Sequence, residues 1–300
     1  LPTRGVSRGA AMDSAKLHAW MRAALFGLAI AIGFGAFAYP AKSHETLTFL
    51  AAQFYNGCAH QLGYAPLTPL EIRSIAKANS QEADRGLWDR LTRRDYFEQE
   101  GEERSGLLSF METKMSEHYD RLVSGLEETA EPRERFRSIG RMVHYLQKLS
   151  SPVHVVPIRV TRILFDRYPI DRDAIVQVLE GNCEFMVDTM EVATLDQDAL
   201  LSGMANETRA SIRNPIPGLP VTWEAFWEYG EPGTFGSYGV AGNNFGRNTE
   251  FPCPTTATQR CLLLEDDPIY RNFARHRHVE AVKATVAALL LTRSPVAPLE

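Results

Sequence analysis

The sequence predicts an all-α fold, a single bundle-like helical domain with one long irregular loop in its C-terminal third. Three observations carry that expectation: apolar residues recur at three- and four-residue intervals, cap residues and prolines stand at the heads of those stretches, and no run alternates convincingly as a half-buried strand would. With 44% hydrophobic residues among 300, the chain can fill the core of one good-sized domain, or of two small ones at most.

Residues 1–38 read as an export signal. Lys16 and Arg22 precede an apolar run from Ala23 to Ala38, and Ala36-Phe37-Ala38 has the small-x-small pattern that signal peptidase accepts. The run is about 16 residues, short of the roughly 20 that span a bilayer. Cleavage after Ala38 is therefore the expectation, with an N-terminal membrane anchor through residues 23–38 as the other reading. The exported chain would be periplasmic or secreted.

Beyond the signal, Ser43 is expected to cap a helix carrying Leu47, Leu50 and Phe54, and Thr68-Pro69 opens another through Ala78. Ser105 to Leu126 reads as a long helix. Phe136, Ile139, Met142, Val143, Leu146 and Leu149 line one face of a helix from Pro132 to Leu149. A further helix begins at Asp171 and extends toward Met190, and Asp267-Pro268 opens the last one, through Leu291. Three prolines in 211–220 and the glycine-, asparagine- and aromatic-rich stretch 229–260 form the irregular loop, of the kind that builds binding rims. Trp223 and Trp227, four apart, are expected in the core.

The formal net charge is −5, and residues 1–38 hold four basic residues and one acid, so the exported remainder stands near −8. That balance argues against long nucleic acid as a partner, because backbone binding relies on clustered cations. In an oxidising compartment the four cysteines would form disulfides. Cys253 with Cys261 would pin one loop and leave Cys58 with Cys183 as the second pair, but four cysteines allow three connectivities and the sequence does not choose among them. There is no phosphate-binding P-loop and no paired-glycine dinucleotide motif.

The stretch 140-GRMVHYLQKLSSPVHVVP-157 carries the chemistry. His144 and Lys148 share a helix face at i and i+4, and Pro152 lets the chain leave the helix and return His154 toward it. HYLQKLSSPVH resembles the H-x3-D-x5-H phrase of the bacterial zinc-dependent phospholipases C and the zinc-dependent single-strand nucleases. The resemblance is strongest over residues 135–158, extends over 39–200, and departs from the family at Lys148, where the family has a metal-bridging aspartate. An ammonium has three donors and no acceptor, and it repels a dication beside it.

The resemblance implies a helical domain with three zinc ions in a cleft. Its ligands would be the free amine and carbonyl of Tyr39, then His44, Asp84 (Glu82 being the weaker choice), His144, His154, and one later acid, Asp166 or Glu184. Asp84 would also belong to the catalytic centre. Asp95 stands where the family has a histidine, and the later pair has lost its histidine whether it is Arg162/Asp166 or Glu180/Glu184. These losses predict a reduced or absent zinc set.

Arg137, Arg141, His144 and Lys148 form a basic stripe at i, i+4, i+7 and i+11, which could hold an anion without metal. His118 reads as an ordinary helix-face residue, and His276 and His278, two apart, as surface residues facing different ways. The expected function is that of an exported phospholipase C/nuclease-like protein, a phosphodiester hydrolase if active, acting on phospholipid headgroups or small phosphodiesters, with contact at a membrane surface. The alternative is an inactive binding protein on the same scaffold, holding a phosphate-bearing or other anionic ligand.

Overall fold

A computed structural model describes residues 39–83, 96–97, 115–129, 131–158, 163–180, 183, 197–231, 235–252 and 260–292. Internal contacts divide the chain into Leu1–Gly35 and Ala36–Glu300, and every described residue belongs to the second unit. The expected export signal lies outside the described residues. Among the described residues no helix is long and apolar enough to cross a membrane.

The architecture is predominantly helical, as the periodicity predicts. In chain order the helices are α1 (Ala41–Ala59), α2 (Pro69–Ala83), α3 (Met115–Glu128), α4 (Pro132–Leu149), α5 (Pro152–Val155), α6 (Arg172–Leu179), α7 (Gln197–Arg213) and α8 (Pro268–Leu291). The expected absence of strands is corrected by one short ribbon, in which β1 (Thr249–Glu250) pairs antiparallel with β2 (Leu262–Leu263). Two residues per strand are too few to leave an alternating signature.

Helix starts follow local chemistry. Thr68 and Glu71 form a reciprocal capping box, the Glu71 amide donating to Thr68 Oγ1 at 3.3 Å and the Thr68 amide to Glu71 Oε2 at 2.6 Å. Glu131 caps α4 by accepting the Glu134 amide at 2.7 Å, with Pro132 in the first turn. Asp267 caps α8 in the same way, accepting the Ile269 amide at 2.9 Å. Ser43, by contrast, lies inside α1, which starts after Pro40 without a side-chain cap. α2 runs on to Ala83, past the expected Ala78, and α6 stops at Leu179; residues 184–190 of the longer helix expected there lie outside the described residues.

α4 is the centre of the bundle, packed against α2, α3, α7 and α8. Its N-terminal half behaves as an amphipathic surface helix, yet every residue from Met142 to Leu149 is buried, the polar ones included. The α2–α4 crossing is very close. A Cβ on Gly140 would stand 2.3 Å from the Ile75 carbonyl oxygen and 2.8 Å from Ala78 Cβ, so only glycine fits there. Ala281, Ala284 and Ala288 serve α8 comparably, letting it run through the interior beside α1 and α4.

Trp223 and Trp227 do enter the core, within an aromatic assembly that includes Phe165, Phe226, Phe245, Tyr270 and Phe273. The disulfide Cys58–Cys183 joins the end of α1 to the chain beyond α6. Cys261 is disulfide-bonded too; its expected partner Cys253 lies outside the described residues.

Candidate functional site

Four segments bring histidines to the buried half of α4. His44 comes from the first turns of α1, His118 from α3, His144 from α4 itself and His154 from α5. His44 and His144 are fully buried with ring centroids 4.4 Å apart, and His154 is 2% exposed. Lys148, one turn beyond His144, is only 3% exposed, and its charge acts on both His44 and His144. The sequence had left open an exposed basic face; the lysine is instead inside.

The imidazole pair is surrounded by uncharged amides. His44 Nδ1 meets Gln147 Oε1 at 2.8 Å, and His144 Nδ1 meets Asn79 Oδ1 at 3.3 Å. Asn79 Nδ2 reaches Gln147 Oε1 and Thr48 Oγ1, each at 2.9 Å. Gln147 Nε2 reaches Thr48 Oγ1 and Thr285 Oγ1, each at 3.1 Å. The far nitrogens, His44 Nε2 and His144 Nε2, are buried and have no hydrogen-bond partner among the described residues.

Burial holds both imidazoles neutral. It pushes His44 down to about 4, with the Lys148 charge adding to the effect and the Gln147 hydrogen bond opposing it. His144 is held well below the ordinary histidine range by burial first, then by His44, Lys148, His154 and His118. A neutral imidazole with a free, buried lone pair is a metal ligand or a hydrogen-bond acceptor.

Two buried carboxylates lie among these histidines. Glu82, one turn after Asn79 on α2, is 2% exposed; the Tyr145 hydroxyl donates to its Oε1 at 3.1 Å, His118 Nε2 lies 3.6 Å from the same oxygen, and Arg141 Nε 3.9 Å from Oε2. Asp166 is fully buried, accepts the Ser151 hydroxyl at 2.5 Å and lies 3.9 Å from His154 Nε2. Burial, then the Asp166 charge, raises the Tyr39 and Tyr238 hydroxyls, so both stay protonated.

The expected site residues therefore separate. His44, His144, Lys148, His154 and Asp166 converge around α4 and α5. Tyr39 joins them through its ring, which packs on His44 at 5.8 Å and His278 at 5.7 Å while its hydroxyl meets Ser150 at 3.2 Å. Asp84, Glu184, Asp95 and Arg162 lie outside the described residues. The basic stripe does not form one anion-holding face: Arg137 is half-exposed and paired with Glu134 at 2.6 Å, Arg141 turns toward Glu82, and Lys148 is inside.

Two readings are corrected. His118 is no ordinary helix-face residue, because α3 packs on α4 and turns it onto Glu82 and Tyr145, its side chain only 12% exposed. His278 is 1% exposed, and burial, with Arg277 beside it, pushes it down to about 3, whereas His276 is outside, reaching Glu207 at 3.2 Å. Asn79, Gln147, Thr48 and Thr285 were missed altogether. Their only sequence trace is position: Gln147 sits inside the motif, and Asn79 and Glu82 share a helix face near the expected acid.

No protein-family model matches this chain, and no curated protein or solved structure matches it either. Among the described residues no group of three or more His, Cys, Asp or Glu side chains is arranged to hold a metal ion. The fit to zinc is therefore partial. His44 Nε2 and His144 Nε2, buried and without a partner among the described residues, are donors of the type zinc takes, while the Lys148 ammonium beside them does not suit a three-ion set.

Proposed function

We propose that this chain is an exported phosphodiester-handling protein of the phospholipase C/zinc-nuclease kind, with a metal set reduced to one ion held by His44 and His144. The observation that carries the reading is a pair of buried Nε2 atoms without partners among the described residues, on rings whose centroids lie 4.4 Å apart. A buried polar atom left unpaired costs about 1–3 kcal/mol, which an electron-pair acceptor at that point would recover. Zinc so bound supplies a Lewis acid and a water acidic enough to yield hydroxide near neutral pH.

The chain's own residues have separable roles in this reading. His44 and His144 hold; Lys148 supplies a fixed positive charge for a phosphate oxygen; Glu82, kept in place by Tyr145 and His118, is the buried acid nearest the pair on α2. The substrate class is a phospholipid headgroup or small phosphodiester.

A second reading is favoured by Lys148 itself. Its burial beside neutral imidazoles supports a protein that has exchanged zinc for a fixed cation and holds a small anion such as phosphate without cleaving it. Metal content of the purified protein, measured with hydrolysis of a phosphatidylcholine and of a nitrophenyl phosphodiester, separates the two. One zinc per chain with measurable cleavage is expected, and Lys148→Asp should raise the metal content above one. A metal-free, inactive wild type that binds phosphate would sink the hydrolase and leave the anion-holding protein.

A further inference from the structure

The hydroxyls of Thr48 and Thr285 decide where the protons sit on the two imidazoles. A hydroxyl has one proton, and Thr48 donates its own to the His44 carbonyl at 2.8 Å, as Thr285 does to the Ala281 carbonyl at 2.8 Å. Toward any further neighbour each oxygen can only accept. The groups that reach them must therefore be donors, which makes the amide atoms at 2.9 Å and 3.1 Å the nitrogens of Asn79 and Gln147.

Once the amides are oriented, the rest follows. Gln147 Oε1 accepts from Asn79 Nδ2 with one lone pair and faces His44 Nδ1 with the other, and Asn79 Oδ1 faces His144 Nδ1. An amide oxygen cannot donate, so both Nδ1 atoms must carry hydrogen.

We propose that Gln147 and Asn79, oriented by Thr48 and Thr285, are positioning residues that lock His44 and His144 as Nδ1–H tautomers and present both Nε2 lone pairs to a divalent transition metal of the zinc type. Two helices that carry no ligand of this pair, α2 and α8, thereby set its chemistry. Ligating histidines are held through their second nitrogen in this manner, and loss of such a holder typically weakens metal binding 10- to 100-fold. The choice of metal as occupant rests on the functional reading above; the tautomers rest on the hydroxyls alone.

Long-range nitrogen–proton NMR of the imidazoles in metal-free protein near neutral pH reads the tautomers directly. Both rings are expected to show a protonated Nδ1 and an unprotonated Nε2. Thr285→Val removes one acceptor of Gln147 and should give mixed tautomers at His44 while leaving His144, held through Asn79 and Thr48, unchanged; Thr285→Ser should restore the wild-type spectrum. Zinc ion alone should shift both Nε2 resonances, with affinity about tenfold lower in Thr285→Val.

An Nε2–H tautomer at either ring in the wild type overturns the lock, and a Thr285→Val spectrum identical to it overturns the part assigned to Thr285, with Thr48 alone orienting Gln147. Locked tautomers whose Nε2 resonances ignore zinc uphold the lock and overturn the metal reading. The wild-type spectrum decides the matter even if Thr285→Val fails to fold.

Discussion

The two flanks of His144 solve the same burial problem differently. On the His44 side, polar groups are neutral, and Asn79, Gln147, Thr48 and Thr285 satisfy one another in a fixed donor–acceptor order. On the other side sits a carboxylate, Glu82, with Tyr145, His118 and Arg141. A neutral network tolerates no change in which atom donates, whereas a carboxylate among several donors tolerates the loss of one.

Exchanging charge between the flanks tests that difference. Asn79→Asp keeps an oxygen for His144 but faces Gln147 Oε1 and Thr48 Oγ1 with no proton to give. Because an unpaired buried charge is costly, a loss of about 4 kcal/mol is expected in denaturant titration. A loss below about 1 kcal/mol would show that the neutral flank is not orientation-locked. Next in size is Gly140→Ala, which drives a methyl into the Ile75 carbonyl and forces α2 off α4. About 3 kcal/mol should be lost, and since α2 carries both Asn79 and Glu82, both flanks should loosen together in hydrogen exchange.

Acid should strike the neutral flank first. His44 has a folded value depressed to about 4 against roughly 6.5 unfolded, so as pH falls the unfolded chain takes up the proton first. Its contribution is complete above about 6.5 and is lost as pH falls toward 4, about 2 kcal/mol by pH 5. Thermal melts between those limits should show His44→Gln with a flatter pH dependence than wild type. The smallest effect is Glu82→Gln, which keeps an oxygen for the Tyr145 hydroxyl and should cost about 1 kcal/mol, with the His144 tautomer unchanged.

Helix 132–149 was legible from its apolar spacing, and α8 from Asp267-Pro268, because both signals are local. The pairing of His44, His144 and His154 was legible only through the motif and its resemblance. His118, Glu82 and Thr285 were not, since each depends on which neighbouring helix lies across the way. The basic stripe failed for the same reason: four positions at helical spacing share a face, but α2, α3 and α8 cover its C-terminal end and leave Arg137 half-exposed.

By itself, then, the sequence determined the helical class, the helix starts at Thr68-Pro69 and Asp267-Pro268, the helix that carries the motif, and the lysine at its centre. Only the tertiary structure decided which polar faces lie inside. Periodicity reports where apolar side chains must go, and a hydrogen-bonded asparagine, glutamine or threonine in a core has the same spacing as one in solvent. The distinction is made by the partner across the interface, which for Gln147 is Thr285, 138 residues further along the chain.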